Sequence, residues 1–329
     1  MIAPLAVALG DPAGIGPEII AKAWERRVAD GVPPFFAVGA PEALRSVWGG
    51  PVQVVAAPDE AAACFEGALP VIRIDSAGET RPGQPTLEGA RASLDALELA
   101  VGLTRSGASS ALVTGPVSKA QLYAVGFTHP GQTEFVAERC GIAAEMVAMM
   151  LAGPTLRTVP VTTHVALRDV PGLLTTELIV QRGRTTIRAL RRLFGIERPR
   201  LAVAGLNPHA GEGGALGREE IDVVIPAIDR LREEGAEVTG PHAADTMFHD
   251  RIRSTYDAAL CLYHDQALVP LKTLHFDEGV NITLGLPIVR TSPDHGTAFD
   301  IAGRGEAEPT AMLAALTMAA ECAARLAAA

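Results

Sequence analysis

Aromatic residues are scarce, at 4% of 329 positions. A chain with so few stacking platforms is a poor binder of single-stranded nucleic acid. Basic charge is also short. Lys and Arg number 28 against 38 Asp and Glu, a formal balance of −10. That sign argues against sequence-independent nucleic-acid binding, which rests on basic surface. The four cysteines, Cys64, Cys140, Cys261 and Cys322, are scattered. They form no CxxC pair and no disulfide framework, so a reducing, cytoplasmic setting is expected. No run approaches the roughly 18 apolar residues of a membrane span. The apolar start has no basic lead and ends at once in Gly10, Asp11 and Pro12, so neither a secretory leader nor a membrane partner is expected.

What is present is an ordinary globular composition, 48% hydrophobic and 20% charged. At roughly 150 residues per domain the length suggests about two domains. The dominant rhythm is a short apolar run, a Gly/Pro/Asn turn and a longer helical pattern. Buried strands are expected at 5–9, 35–38, 71–74, 111–113, 147–151, 158–161, 201–204 and 258–262. Leu87, Ala90, Leu94, Leu97 and Val101 share one helical face, as do Ile221, Val224, Ile225, Ile228 and Leu231. The Ala-rich stretch from Ala311, interrupted by Glu321 and Arg325, reads as a buried or docking helix. Alternating strands and helices imply an α/β fold with a mostly parallel sheet. No repeat or linker marks a boundary, although a chain that crosses between domains and returns would need none.

Three glycine-rich turns stand at strand ends: Gly10–Glu18, Thr114–Lys119 and Asn207–Gly214. Such turns can offer backbone N–H groups to an anion or can simply pack. None matches the dinucleotide GxGxxG fingerprint or the phosphate loop of nucleotide hydrolases. Together they suggest a polar crevice at the carboxyl edge of the sheet, where open α/β sheets bind ligands.

Among eight histidines, His164, His209 and His264 share a context, each just past the C-terminal end of an expected strand. Three imidazoles with an open position describe a catalytic zinc-type site, although imidazole also suits other metals. Each alone could be a hydrogen-bonding loop residue. Asp265 adjoins His264 and Asp245 sits in the run Gly240–Thr246; either could orient a ligand, accept a proton or cap a helix. His129, His242, His249 and His275 lack that context and are taken as structural. Lys272, Asn281 and Arg290 sit in or beside an apolar segment at 280–290, where a cation needs a partner. An internal carboxylate would serve; so would a substrate phosphate, held by the planar fork of Arg and the point charge of Lys.

These residues, with Thr162–His164, Gly205–Gly214, Ala244–Thr246, Tyr263–Gln266, Gly279–Pro287 and Arg290–Ala298, resemble the 4-hydroxythreonine-4-phosphate dehydrogenase (PdxA) family over nearly the whole chain. The resemblance implies two α/β/α lobes around a cleft, as in isocitrate and isopropylmalate dehydrogenases. The first would be 1–140 plus 281–329, carrying the nucleotide loop. The second, 141–280, would carry the metal ligands and dimer interface. The resemblance further implies that His164, His209 and His264 bind a divalent metal (zinc first, magnesium or cobalt as alternatives), that Gln132, Thr133, Lys272, Asn281 and Arg290 contact substrate, and that homodimers complete the site. The run His295–Gly305 is similar to the His-Gly-Ser-Ala loop that holds the adenosine of NAD in isocitrate and isopropylmalate dehydrogenases. His295, Gly296 and Ala298 are thereby implied in binding NAD or NADP, on a loop that needs no GxGxxG.

The implied reaction oxidises 4-phosphooxy-L-threonine to 2-amino-3-oxo-4-phosphooxybutanoate, with Asp245 or Asp265 as base. Loss of CO2 then gives 3-amino-2-oxopropyl phosphate, in pyridoxine 5′-phosphate biosynthesis. One departure is Gln132, where the family usually has His; a Gln donates a hydrogen bond but carries no proton or charge. Paralogous substrates, D-threonate or D-erythronate 4-phosphate or a cis-dihydrodiol, therefore stand as alternatives. A metal-dependent hydrolase or lyase without nucleotide is the alternative of another class.

Overall fold

The computed structural model describes residues 2–328, apart from the side chain of Ala77. Its strands in chain order are β1 (Leu5–Ala8), β2 (Phe35–Gly39), β3 (Val52–Val55), β4 (Leu69–Arg73), β5 (Leu112–Thr114) and β6 (Ala148–Ala152). There follow β7 (Arg157–Pro160), β8 (Arg200–Ala204), β9 (Glu237–His242), β10 (Ala258–Cys261), β11 (Val280–Leu284) and β12 (Arg290–Pro293). The chain divides into two compact units, Met1–Gly141 with Leu286–Ala329, and Ile142–Gly285.

The first unit orders its strands β3-β4-β2-β1-β5-β12, every pairing parallel. β1, β2 and β5 are buried along their whole length, as parallel strands covered on both faces must be. The helix Leu87–Arg105 starts where the Thr86 hydroxyl accepts from the Gly89 N–H, 3.0 Å away. Its buried face runs through Ala90, Ala96, Leu97, Ala100 and Val101, whereas Leu87, expected on that face, is 55% exposed at the first turn. The Ala-rich stretch is the helix Thr310–Ala328. It is the one helix among the described residues with the length and hydropathy of a membrane span. It nevertheless buries Met312, Ala315, Leu316, Ala319 and Cys322, and the buried Thr291 hydroxyl of β12 donates to the Ala315 carbonyl. It is a core helix of this unit.

The second unit orders its strands β11-β6-β7-β10-β8-β9. β7, β10, β8 and β9 are parallel, but β6 runs antiparallel to both β11 and β7. The apolar segment at 280–290 is not one element. Gly285, at φ +88°, separates β11 from β12, and a Cβ there would lie 2.5 Å from the Met146 carbonyl. β11 pairs along its length with β6, so residues 281–285 stay with the second unit and the return to the first comes at Leu286, not at 281. A core of Leu151, Leu156, Ala202, Ala204, Met247, Tyr256, Ala259, Cys261, Ala267 and Leu271 seats the helix His264–Leu274 and the short helix Ala244–Met247.

Candidate active site

In the second unit the three singled-out histidines follow β7, β10 and β8, which are adjacent and parallel. Their strand ends are laced together by side chains. The Thr162 hydroxyl donates to the Leu262 carbonyl at 2.8 Å. The buried amide of Gln266 accepts from the Leu262 N–H at 2.6 Å and donates to the Gly205 carbonyl at 2.8 Å. Gln266 thus ties the turn that carries His264 to the loop that carries His209. It lies in a quoted motif, but nothing in its local sequence announces a partner 61 residues away.

The His164 and His264 rings stand 5.5 Å apart between centroids. They line a concavity of about 240 Å³ with Val165, Leu167, Val170, Tyr263 and Asp265. The Nδ1 of His264 lies 2.7 Å from an Asp265 carboxylate oxygen. A carboxylate on one imidazole nitrogen orients the ring and leaves Nε2 to a ligand, the usual arrangement behind a metal-bound histidine. Among the described residues no three His, Cys, Asp or Glu side chains converge as a ready-made metal cluster. The structure therefore pairs His164 with His264, while His209 stands exposed on its own loop. That loop is anchored from behind: the Asn207 N–H donates to Glu220 at 2.7 Å and its side-chain amide donates to Glu219 and Glu220.

The backbone at these loops is strained. Among the described residues the non-glycine positions with positive φ are His164, His209, Ala210, Glu212 and Ala298. Left-handed backbone costs an L-residue on the order of 1–3 kcal/mol and persists where surrounding structure imposes it, often at functional sites. Four fall in the loops of His164 and His209, singled out by their place after strands, and Ala298 falls in the loop that the family resemblance implies for the nucleotide.

Asp245 is exposed in the helix Ala244–Met247, whose last carbonyl accepts from the buried Tyr256 hydroxyl at 3.0 Å. Burial pushes the Tyr256 phenol up, so it remains a donor. Lys272, half-buried on the helix that His264 begins, places its ammonium 6.0 Å over the Phe276 ring. Asn281 lies on β11 opposite Leu151, and its Oδ1 is buried without a hydrogen-bond partner. Buried acceptors are rarely left so, and this one is suited to a ligand donor.

In the first unit, Arg290 opens β12 and is 4% exposed. One guanidinium nitrogen donates to the Thr114 hydroxyl at 2.7 Å and another to the Thr133 hydroxyl at 3.5 Å. Burial pulls its pKa down to about 10, and the nearby Glu134 carboxylate opposes the shift, so the cation persists at neutral pH. Gln132 and Thr133 form the first turn of the helix Gln132–Arg139, with the Gln132 amide 3.4 Å from the Gly115 carbonyl. The turns after β5 and before this helix therefore gather round the buried guanidinium.

The glycine-rich turns differ in what surrounds them. At Gly14 and Gly16 a Cβ would lie 2.9 Å from the Thr297 carbonyl and 2.3 Å from the Leu9 carbonyl, so this turn is packed. At Gly296 a Cβ would meet no heavy atom within 4 Å. His295 and Gly296 are exposed, and Ala298 has φ +41°. The turn at 295–298 is thus open and strained, and the turn at 10–16 is closely packed.

Comparison with known proteins bears on these arrangements. A family model described as pyridoxal phosphate biosynthetic protein PdxA matches residues 33–319. A 4-hydroxythreonine-4-phosphate dehydrogenase of Zymomonas mobilis subsp. mobilis is 59% identical over 320 residues, covering 97% of this chain and 96% of the relative. The crystal structure of a 4-hydroxythreonine-4-phosphate dehydrogenase from Klebsiella pneumoniae superposes with a TM-score of 0.88 at 38% identity, covering 98% of each chain. An isocitrate dehydrogenase from Methylococcus capsulatus, at 16% identity and a TM-score of 0.50 over 99% of this chain and 87% of that one, shares the fold.

Proposed function

The chain belongs to the PdxA family of pyridoxal phosphate biosynthetic proteins, and from that premise we propose that it is a 4-hydroxythreonine-4-phosphate dehydrogenase. It oxidises C3 of 4-phosphooxy-L-threonine with NAD or NADP and a divalent metal, and the β-keto acid product loses CO2 to give 3-amino-2-oxopropyl phosphate. The relatives' identity as dehydrogenases sets the hydrolase and lyase readings aside.

The observation that carries the metal-dependent reading is the His164–His264 pair, with Asp265 behind His264, at the carboxyl ends of neighbouring strands. A bound nucleotide would supply the acceptor for the hydrogen and electron pair of the C3–H bond, and a bound divalent metal would supply the Lewis acidity that lowers the pKa of the C3 hydroxyl. His164 and His264 would hold the metal, zinc, magnesium or cobalt, and His209, on its separate loop, would have to come to it as the third imidazole. Asp265 is engaged with His264, so Asp245, exposed on its short helix, takes the hydroxyl proton. Arg290 and Lys272 hold the phosphate, the first through a fork already aimed by Thr114 and Thr133. Gln132, Thr133 and Asn281 contact the rest of the substrate. His295, Gly296 and Ala298 hold the adenosine. The enzyme acts as a cytoplasmic homodimer. Its second unit exposes Leu167, Leu173, Leu216, Val269, Leu274 and Phe276, a concentration of large apolar side chains that suits a second copy of the chain.

The test is a reduction assay with NAD and with NADP against 4-phosphooxy-L-threonine, D-threonate 4-phosphate and D-erythronate 4-phosphate. The first substrate is expected to give the highest kcat/KM; a preference for either acid would move the substrate to a paralogue's. His164→Ala should lower kcat/KM by at least about a thousandfold, since the metal contributes several kcal/mol of charge stabilisation. NAD affinity and the circular dichroism spectrum should be unchanged. Full turnover by this variant after chelator treatment would remove the metal from the mechanism.

A further inference from the structure

The helix Gly16–Glu25 carries a carboxylate that an amphipathic helix has no packing reason to bury. Glu18 is 2% exposed. One of its oxygens accepts from the Gly303 N–H at 3.2 Å and the other from the Ala307 N–H at 3.0 Å. Lys22, one turn on, lies 2.9 Å from the Glu18 carboxylate. Its ammonium donates to the carbonyls of Gly305 at 2.8 Å and Ala307 at 2.6 Å. One acid and one base on a single helix face thus satisfy both donors and acceptors of a segment without regular hydrogen bonding. A second tie lies just upstream: the Ile15 N–H donates to the Thr297 carbonyl at 2.9 Å, and Gly14 leaves room for Thr297. The strained Ala298 sits between the two ties.

Three further backbone donors of the 10–16 turn are taken within the unit, the Ala13 N–H by the Asp11 carboxylate at 3.0 Å among them. The Asp11 N–H goes to the Pro116 carbonyl, and the Gly14 N–H to the Asp11 carbonyl. The turn is therefore a bracket, not an anion cradle. We propose that Glu18, with Lys22, is a positioning residue for the dinucleotide. It holds the 295–307 loop in the conformation that receives the adenosine, resting on the reading of that loop given above. An apolar side chain at position 18 would fill the space but leave two N–H groups unpaired and the loop's second half untethered. Gln keeps one acceptor and turns an N–H₂ group toward a second donor, so it tests charge and valence at constant shape.

The experiment is calorimetric titration of NAD and NADP into the full-length protein, with steady-state kinetics beside it. Glu18→Gln should weaken nucleotide binding roughly tenfold, the loss expected when one of two charge-assisted hydrogen bonds goes. KM for the nucleotide should rise by the same factor, with KM for the phosphorylated substrate and kcat within about twofold. Hydrogen exchange at Gly303 and Ala307 should quicken. Lys22→Met, at a partly exposed position that tolerates change, should show the same selective rise to a smaller degree, and Lys22→Arg should restore binding. Unchanged nucleotide affinity in both Glu18→Gln and Lys22→Met would overturn the proposal. So would an equal loss of both KM values in Lys22→Met, should Glu18→Gln fail to fold. Gly296→Leu separates the two readings. If it abolishes nucleotide binding while the bracket variants bind normally, the loop assignment stands and the bracket falls. If wild type binds the nucleotide and Gly296→Leu binds it equally well, the loop assignment itself falls.

Discussion

Asp11 follows Gly10 in the first turn, is 2% exposed, and one of its carboxylate oxygens accepts from the Ala13 N–H at 3.0 Å. That hydrogen bond favours the anion, but burial outweighs it and raises the carboxyl above its ordinary range. A raised folded pKa means that the folded chain prefers the neutral acid. Stability is then fullest below the unfolded pKa and is lost as pH rises through the folded value. Asp11→Asn keeps an acceptor for Ala13 and carries no charge. It should raise Tm by about 2 °C at pH 7, and the gain should shrink as pH falls toward the ordinary carboxylate range. Differential scanning calorimetry across that range checks it. A lower Tm for the Asn variant at pH 7 would mean that the carboxylate is used as an anion, against a cation in the fold or a ligand. Arg290 is the opposite case at the same scale. Burial lowers it to about 10, yet it stays charged at neutral pH and is held by two threonine hydroxyls, as its proposed part in holding the phosphate requires.

At the scale of elements, the candidate site of the second unit depends on the alignment of β7, β10 and β8, and Gln266 is the clasp. Gln266→Leu fills the same volume but leaves the Leu262 N–H and the Gly205 carbonyl unpaired. The cost should be about 2–4 kcal/mol, read in urea unfolding, with weaker metal binding in a titration of the folded variant. An undiminished midpoint would show that water or relaxation replaces the clasp. Much of this framework is legible in the sequence, because buried parallel strands are short apolar runs and β1, β2, β4, β5, β6, β7, β8 and β10 each coincide with one. The matched positions of His164, His209 and His264 are legible for the same reason, since each follows such a run. β3 and β9 escape notice as edge strands with exposed residues, and the β11–β12 break at Gly285 is hidden inside a continuous apolar stretch. Direction escapes too: an apolar run does not say that β6 opposes its neighbours. Glu18 and Gln266 are visible as motif letters, but their roles lie in contacts 285 and 61 residues away, beyond any local pattern.

For the molecule as a whole, a formal charge of −10 has to be reconciled with two anionic ligands. The reconciliation is local: a net charge says nothing of single cations, and Arg290, buried and charged at neutral pH, is the one proposed to meet the phosphate. The distribution of exposed apolar side chains is similarly uneven. Leu167, 68% exposed, follows His164 by three residues and lines the same concavity. Phe276, 75% exposed, stands just beyond the helix His264–Leu274, whose last turn carries Lys272. Large apolar groups beside the proposed metal and phosphate ligands make sense if a second copy of the chain covers them, so assembly and catalysis should fail together. Leu167→Glu is expected to shift sedimentation from dimer to monomer at micromolar concentration and to lower kcat/KM by at least about tenfold, because burying an unpaired charge in an interface costs several kcal/mol. Val28→Glu, at an apolar position of the first unit that is 75% exposed, serves as the control and should change neither. A Leu167→Glu protein that remains dimeric and fully active would place the dimer contact elsewhere, and a monomer with full activity would sever assembly from the site.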